Sequence, residues 1–339
     1  VENNAYEIIG IGNAIVDLLE HVEEEFIVRH NLQKSAMQLC TREQQVMLLS
    51  QLSEPTIEAG GSVGNSMSTI GLLGLKSAFI GNVAHDDLGD RYIESIQQSN
   101  VDFLTPKQHS TLGTGTSVIL ITPDSERTMN TFLGEAAQIS PDSIPHDELK
   151  SCRILFIEGY AYENDPQRSA AILATSIVKD HGGLVALTLS DPWCVQKHRE
   201  QFLKLLPNVD YLLCNHDEFR EMFGIDIDSI TSSTRDACEE ISSLTSAQVI
   251  VTRSHQGCSI IDGTTISSLP AIAPDEVRDV TGAGDQFAAG FLSGCRMGYS
   301  LEQSAQLGIQ LATKVISKIG PRLTPQEIND AQSAWKMSL

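Results

Sequence analysis

Cationic residues are scarce in this chain. Lysine and arginine together number 23 against 44 aspartates and glutamates, for a formal net charge of −21. A surface this acidic repels nucleic acid and anionic membranes at long range, so neither is expected as a partner. A polyanionic small ligand would need a local positive field built against the global one. No stretch approaches the ~20 consecutive apolar residues of a membrane helix. The opening residues, Val1-Glu2-Asn3-Asn4, lack the basic-then-apolar layout of a secretory signal. None of the seven cysteines (Cys40, Cys152, Cys194, Cys214, Cys238, Cys258, Cys295) falls in a C-x-x-C pair. Their odd number and scatter argue against a zinc site or a disulfide framework, and for a reducing, cytoplasmic location. The nine histidines form no H-E-x-x-H pair. Internal repeats, low-complexity tracts and long flexible linkers are missing as well.

What is present is alternation. Apolar runs of strand length are expected at 6–11, 77–80, 154–157, 184–189, 209–214 and 249–252. Amphipathic stretches of helix length are expected at 63–73, 87–98, 167–180, 196–205, from His216 onward, at 282–296 and, as the last helix, at 301–318. This is the pattern of an open, mostly parallel sheet covered by helices. Two regions break it. Residues 14–40 are mixed β and irregular, and 111–134 read as two strands, 115–122 and 127–132. Pro123-Asp124-Ser125-Glu126 between them is good hairpin-turn chemistry. A helix-free β insertion suggests a small sheet off the main body, placed to act as a lid. The expected organisation is one unit over 1–339: a large α/β body, with a β lid from 14–40 and 111–134.

Two glycine loops fail as nucleotide fingerprints. Gly10-Ile11-Gly12 follows a strand, but Ile15 holds the place of the third glycine of a dinucleotide loop. Gly71-Leu72-Leu73-Gly74-Leu75-Lys76-Ser77 lacks the Gly-Lys step of a P-loop and reads as a helix end running into a strand. Neither an NAD enzyme nor a Walker-type kinase is expected.

The strong signal is Asp279-Val280-Thr281-Gly282-Ala283-Gly284-Asp285-Gln286-Phe287-Ala288-Ala289-Gly290-Phe291-Leu292. Small residues at 282–284 let the backbone approach a ligand closely. The apolar residues that follow at helical spacing set a helix N-terminus at that loop, where free N–H groups and the dipole favour an anion. Asp285 sits in the first turn. From these residues alone two readings are open: an acidic first-turn residue after a Gly-rich turn, or a base taking the proton of a hydroxyl that attacks a bound phosphorus. The helix dipole would favour its ionised form.

This segment is similar, in residue types and spacing, to the C-terminal signature of the ribokinase, or PfkB, family of carbohydrate and nucleoside kinases. The similarity extends over essentially the whole chain. The resemblance implies a ribokinase-like α/β fold: three layers, with an open, mostly parallel sheet flanked by helices and a small β-sheet lid. It implies an ATP-dependent phosphotransferase acting on an alcohol group, with Mg2+ as cofactor. Gly282, Ala283 and Gly284 would form the anion hole and Asp285 would be the base. A second family element, N-x-x-E, appears as Asn215-His216-Asp217-Glu218. By its residues alone it is a helix capping box. The resemblance adds that Asn215 lies near the phosphates and that Glu218 organises Mg2+ and its water. Asn13, Asp17, Gly61 and Asn65 fall where the family binds its substrate. The alternative for the Asn and Asp side chains is turn formation at strand ends. Arg127 matches a position that reaches the transferred phosphate, Thr252 and Gly257 a segment lining the nucleotide, and the last helix a wall of the adenine site. A monovalent-cation requirement is compatible with the family. So are a monomer and a homodimer formed through the lid.

Within the family the pattern is closer to the adenosine kinases. Asn13 follows the first strand as Gly-x-Gly-Asn, Ala59-Gly60-Gly61-Ser62 precedes Asn65, and Thr188-Leu189-Ser190-Asp191-Pro192 resembles that arm's Leu-Ser-x-Pro segment. Gly113-Thr114-Gly115-Thr116 resembles its Thr-Gly-Thr lid strand. Gln286 and Glu158-Gly159-Tyr160 depart from the pattern, and Glu158 would suit a polar sugar. A nucleoside base needs an apolar or aromatic sandwich, for which Tyr160, Tyr162, Phe132 and Trp193 are candidates. The expected acceptor is an adenosine-like nucleoside, with a ribose- or fructose-type sugar as the alternative. A catalytically silent nucleotide-binding regulator is the reading of another class, and the intact Asp285 and Glu218 argue against it.

Overall fold

The computed structural model describes residues 5–124, 126–230 and 235–339. Val1–Asn4, and Ser125 of the expected hairpin turn, lie outside the described residues. In chain order the strands are β1 (Ile8–Ile11), β2 (Ile15–His21), β3 (Met37–Leu39), β4 (Thr56–Ala59), β5 (Ser77–Ile80), β6 (Val101–Phe103) and β7 (Gly115–Ile121). They continue as β8 (Arg127–Phe132), β9 (Ile154–Glu158), β10 (Leu184–Thr188), β11 (Tyr211–Asn215), β12 (Gln248–Thr252), β13 (Cys258–Asp262) and β14 (Thr265–Leu269). The helices are α1 (Glu24–Arg29), α2 (Arg42–Leu49), α3 (Ser62–Leu72), α4 (Asp87–Gln98), α5 (His146–Lys150) and α6 (Asp165–Asp180). After them come α7 (Pro192–Leu205), α8 (His216–Phe223), α9 (Arg235–Leu244), α10 (Ala283–Arg296), α11 (Leu301–Val315) and α12 (Pro325–Ser338).

Nine strands form one sheet in the order β14-β13-β12-β11-β10-β9-β1-β5-β6. From β12 to β6 every neighbouring pair is parallel, and β13 and β14 return antiparallel at one edge. Side chains alternate across it. Ile9, Ile11, Leu155, Ile157 and Leu187 enter one core, and Ile8, Phe79, Ile154, Phe156 and Ala186 the other. Helices cover both faces, which is why these strands read as unbroken apolar runs. The chain winds outward both ways from β1 and β9, toward β5 and β6 on one side and toward β10, β11 and β12 on the other. Such a reversal leaves a crevice at the C-terminal ends of the strands. The segments beginning at Gly12, Gly159, Leu189, His216 and Arg253 leave the sheet at those ends.

A second sheet has five strands in the order β3-β8-β7-β2-β4. Leu18 of β2 and Val118 and Leu120 of β7 point to one face, where Ile27 of α1 and Leu48 of α2 pack on them. Asp17 and Leu19 of β2, Ile119 of β7 and Arg127 and Met129 of β8 belong to the other face by register. Strand β4 and helix α2 were not expected from sequence. β4 carries Ile57 and Glu58 exposed, so its alternation is weak, whereas α2 opens with a Thr41–Gln44 capping box.

The expected last helix also needs correction. It stops at Val315 rather than Lys318, and Gly320, at φ 93°, with Pro321 turns the chain. Helix α12 then starts from a Thr324–Glu327 capping box, and its buried Trp335 donates its indole N–H to Gln303 O at 2.9 Å. Residues 316–324 are thereby carried back over the body rather than away from it. All seven cysteines are free. Among the described residues no helix is long and apolar enough to cross a membrane.

Candidate active site

The loop before α10 is held from three directions. Asp279 is buried, its Oδ1 accepts from Thr281 N–H at 3.0 Å and its Oδ2 from Gly320 N–H at 2.8 Å. The Arg127 guanidinium, from the second sheet, lies 2.5 Å from the same Oδ2. Gly282 then caps α10 at φ 79°, and a Cβ there would sit 2.7 Å from Pro321 atoms, so only glycine fits. The Ala283 N–H turns back to Val280 O, and the Gln286 N–H closes the first helical turn on Gly282 O at 2.8 Å. The Gly284 and Asp285 amides stand ahead of that first bond, at the dipole's positive end. Gly284 is exposed, with open space on the side where a Cβ would project.

Asp285 is tied to α3. Ser62 Oγ–H donates to Asp285 Oδ1 at 2.7 Å and Asn65 Nδ2–H to Oδ2 at 3.0 Å, while Ser66 Oγ–H donates to the Asp285 main-chain O at 2.9 Å. Burial pushes its carboxyl up to about 6, opposed by the Asn65 and Ser62 hydrogen bonds and the Arg322 charge. Burial thus sets it above the ordinary aspartate range, yet the carboxylate is still mostly ionised at neutral pH. Asn65 is in turn held by Arg322, whose Nε–H donates to its Oδ1 at 3.0 Å. The N-termini of α3 and α10 converge on this one carboxylate.

Asp17 of β2 stands close by. Among the described residues its carboxylate accepts no hydrogen bond. Burial raises it to about 7; Arg322 and Arg127 lower it, and Glu58 and Asp285 raise it further. The Gly60 backbone lies against it: a Cβ on Gly60 would come within 2.3 Å of Asp17 Oδ2. Gly61, at φ 80°, leaves no room for a side chain, since a Cβ would meet Asn13 O at 2.2 Å.

Asn13 is placed differently from Asp17 and Asn65. Its N–H and Nδ2–H both donate to Glu158 Oε1, at 2.8 and 2.7 Å, and its Oδ1 accepts from Gln167 at 3.0 Å. Val63 N–H donates to Glu158 Oε2 at 3.2 Å. Glu158 is fully buried, and burial raises it to about 7. This network joins the ends of β1 and β9 to the start of α3 beneath the crevice.

At the far side Asn215 and Thr252 are register partners at the ends of β11 and β12. Asn215 and Glu218 form the capping box: Asn215 N–H and Nδ2–H donate to Glu218 at 3.0 and 2.7 Å, and Glu218 N–H donates to Asn215 Oδ1 at 2.8 Å. Burial raises Glu218 to about 7, aided by the charges of Asp191, Asp217 and Asp285. Gly257, at φ 93°, turns the chain between β12 and β13, where a Cβ would meet Leu269 O at 2.0 Å. Of the aromatic candidates, Tyr162 is fully buried against Phe202, with ring centroids 4.9 Å apart, and belongs to the core. Trp193 is exposed, with Lys197 Nζ 4.9 Å from its ring centroid.

A family model described as pfkB family carbohydrate kinase matches residues 35–328. The chain belongs to this pfkB family. It is thus a phosphotransferase acting on hydroxyl groups, on a ribokinase-like fold. A probable sugar kinase from Rhizobium etli CFN 42 superposes with a TM-score of 0.88 at 33% identity, over 98% of this chain and 99% of that one. The adenosine kinase from Sinorhizobium meliloti superposes with a TM-score of 0.87 at 32% identity, over 97% of this chain and 99% of that one. Adenosine kinase of Saccharomyces cerevisiae is 24% identical over 338 residues, 95% of this chain and 98% of its own length.

The structure also shows neighbours of Asp285 and Asn65 that sequence reasoning missed. Ser62 lay inside a quoted motif and Ser66 just beyond it, but nothing local marks one serine as a donor to the Asp285 carboxylate and the other as a donor to its main-chain O, each over 200 positions away. Arg322 follows Gly320-Pro321, where the last helix was expected to have ended. Nothing in the sequence sets it apart from the nearby Lys314 and Lys318. It also borders a cavity of about 320 Å3 that Glu58, Arg91, Tyr92, Ser95 and Lys318 help to line.

Proposed function

We propose that the chain transfers the γ-phosphoryl of ATP to a hydroxyl of an adenosine-like nucleoside, with Asp285 as general base. The observation that carries this reading is the meeting of an ionisable carboxylate and a helix N-terminus in one turn. Asp285 has each oxygen oriented by a donor from α3, while of the Gly282-Ala283-Gly284 turn the Ala283 N–H is spent on Val280 O and the Gly284 amide, with the Asp285 amide after it, is left for an oxyanion. The acceptor hydroxyl lies between them and gives its proton to Asp285 as its oxygen attacks the phosphorus. Charge spreading over the phosphoryl oxygens is met by the Gly284 and Asp285 amides. Positioning and electrostatics of this kind supply most of the rate in phosphoryl transfer.

The diol of a ribose suits Asp17, whose unfilled oxygens can accept from two neighbouring hydroxyls. The same sheet face carries Leu19, Ile119 and Met129, an apolar patch for a base. Glu158, which would favour a polar sugar, is fully buried and already accepts three hydrogen bonds from the chain. Asn215 and Thr252 lie at the strand ends suited to the nucleotide, Gly257 shapes the turn beyond, and Arg127 is a lid cation within reach of the phosphates. In the lid reading, the five-stranded sheet closes over the acceptor and excludes water as a competing nucleophile.

Glu218 is the residue that would hold Mg2+. A buried carboxylate crowded by Asp191, Asp217 and Asp285 retains lone pairs beyond its two cap bonds, and a hard divalent cation relieves that crowding. When bound, the ion supplies neutralisation of phosphate charge.

The test is ADP release across adenosine, inosine, ribose and fructose at fixed ATP. Adenosine is expected to give the highest kcat/KM, with the sugars about two orders of magnitude lower, as a site built for hydrogen-bonded groups discriminates. Preference for ribose or fructose would replace the nucleoside reading with the sugar one. ATP binding without release on any acceptor would favour a silent regulator.

A further inference from the structure

We propose that Arg322 is a positioning residue that fixes the Asn65 amide in the one orientation able to donate to Asp285. The inference rests on the reading of Asp285 as base. An asparagine amide has one accepting and one donating end. Arg322 can only donate, so its Nε–H, 3.0 Å from Asn65 Oδ1, forces that end toward itself. The donating Nδ2 is thereby left facing Asp285 Oδ2 at 3.0 Å. Asn65 is buried, which leaves little water to reorient it.

The guanidinium is itself clamped by neutral acceptors. Nη1–H donates to Ser95 Oγ on α4 at 3.0 Å and Nη2–H to Gly60 O at 3.5 Å. Among the described residues Arg322 makes no salt bridge. A fork whose hydrogen bonds all go to neutral groups from three segments sets geometry, while its charge reaches Asp17, Glu58 and Asp285 only through space. Without it, Asn65 can turn its carbonyl toward Asp285, replacing a donor with a repelling oxygen. The cavity of about 320 Å3 beside Arg322 gives a small cation a way in from solvent.

The test is a double-mutant cycle on kcat with Arg322→Ala and Asn65→Ala, run beside Asp285→Asn and with Arg91→Ala as a control from the same cavity wall. Arg322→Ala should lower kcat on the order of 10- to 100-fold, the range for losing a hydrogen bond to a charged group. Its Kd for ATP should be unchanged. In the Asn65→Ala background the same change should cost almost nothing further, because the amide it orients is gone. Millimolar guanidinium should restore part of the lost rate in Arg322→Ala and none in Asn65→Ala. Arg322→Lys keeps the charge without the fork and should stay impaired; it also decides the matter should the alanine variant fail to fold. Unchanged kcat in Arg322→Ala, additive losses in the double variant, or full activity in Arg322→Lys would each overturn the inference while Asp285→Asn is inactive. An active Asp285→Asn would instead remove the base reading, and this inference with it.

Discussion

Arg127 of β8 and Asp279 of the loop before α10 form an ion pair of 2.5 Å that joins the five-stranded sheet to the loop carrying Gly282. Both side chains are largely out of water, at 12% and 4% exposure. The same carboxylate holds Gly320, two residues before Arg322. One contact therefore links the second sheet, the loop carrying Gly282 and the segment carrying Arg322.

Arg127→Ala should leave Asp279 buried with only its two backbone donors. Stability is expected to fall by about 3 kcal/mol, the cost of breaking a buried pair on one side. Turnover should fall as well, since a buried contact between the second sheet and the loop before α10 is lost. Urea unfolding and steady-state rates check this. Wild-type values in both would mean that the pair joins nothing of consequence.

Asp285→Asn keeps the shape of the side chain and removes the proposed base. Turnover is expected to drop by about 10²–10⁴-fold, the usual contribution of a positioned general base. ATP affinity, measured by titration calorimetry, should be retained. Rates near those of the unaltered chain would end the base assignment.

The pH profile follows from the same group. The base must be ionised, and burial sets Asp285 at about 6. The acceptor kcat/KM should therefore be flat above neutrality and decline as pH falls through about 6. A decline centred near 4, the ordinary aspartate value, would place the carboxylate in a solvated setting.

Stability should run the opposite way. Burial raises Asp17, Glu158 and Glu218 to about 7 and Asp285 to about 6, against about 4 in the unfolded chain. Between these limits the folded chain holds protons that the unfolded chain has released. Stability then falls as pH rises across the window. Tm is expected to be higher at pH 5.5 than at pH 8. Asp17→Asn should flatten the slope and raise Tm at pH 8, because a buried charge is removed where no hydrogen bond is lost. A Tm that climbs with pH over this range, or an unchanged slope in the variant, would contradict the assignment of these carboxyls as desolvated.

The fold was legible where the signal is local. Strand residues such as Ile154 and Phe156 are buried on alternate faces and read as apolar runs, and Gly282 marks a left-handed turn at a helix start. The Asn215–Glu218 box could be read from a spacing of three residues. β4 escaped because an exposed edge strand need not be apolar. α12 escaped because the Gly320-Pro321 turn resembles an end rather than a return.

Tertiary structure alone decided what surrounds the candidate base. Asn65 and Asp285 are 220 residues apart, and Asn65 and Arg322 257. No periodicity or cap connects positions so distant; packing α3 against α10 brings the first pair together, and the return of residues 316–324 over the body the second. It also decided that Asn13 and Glu158 are spent on each other, whereas Asp17 keeps its oxygens free. The sequence by itself settled which residues could carry charge or turn the chain, because those are properties of a residue and its near neighbours. Which of them meet, and how far burial shifts their protons, depends on the surfaces that the folded layers bring together.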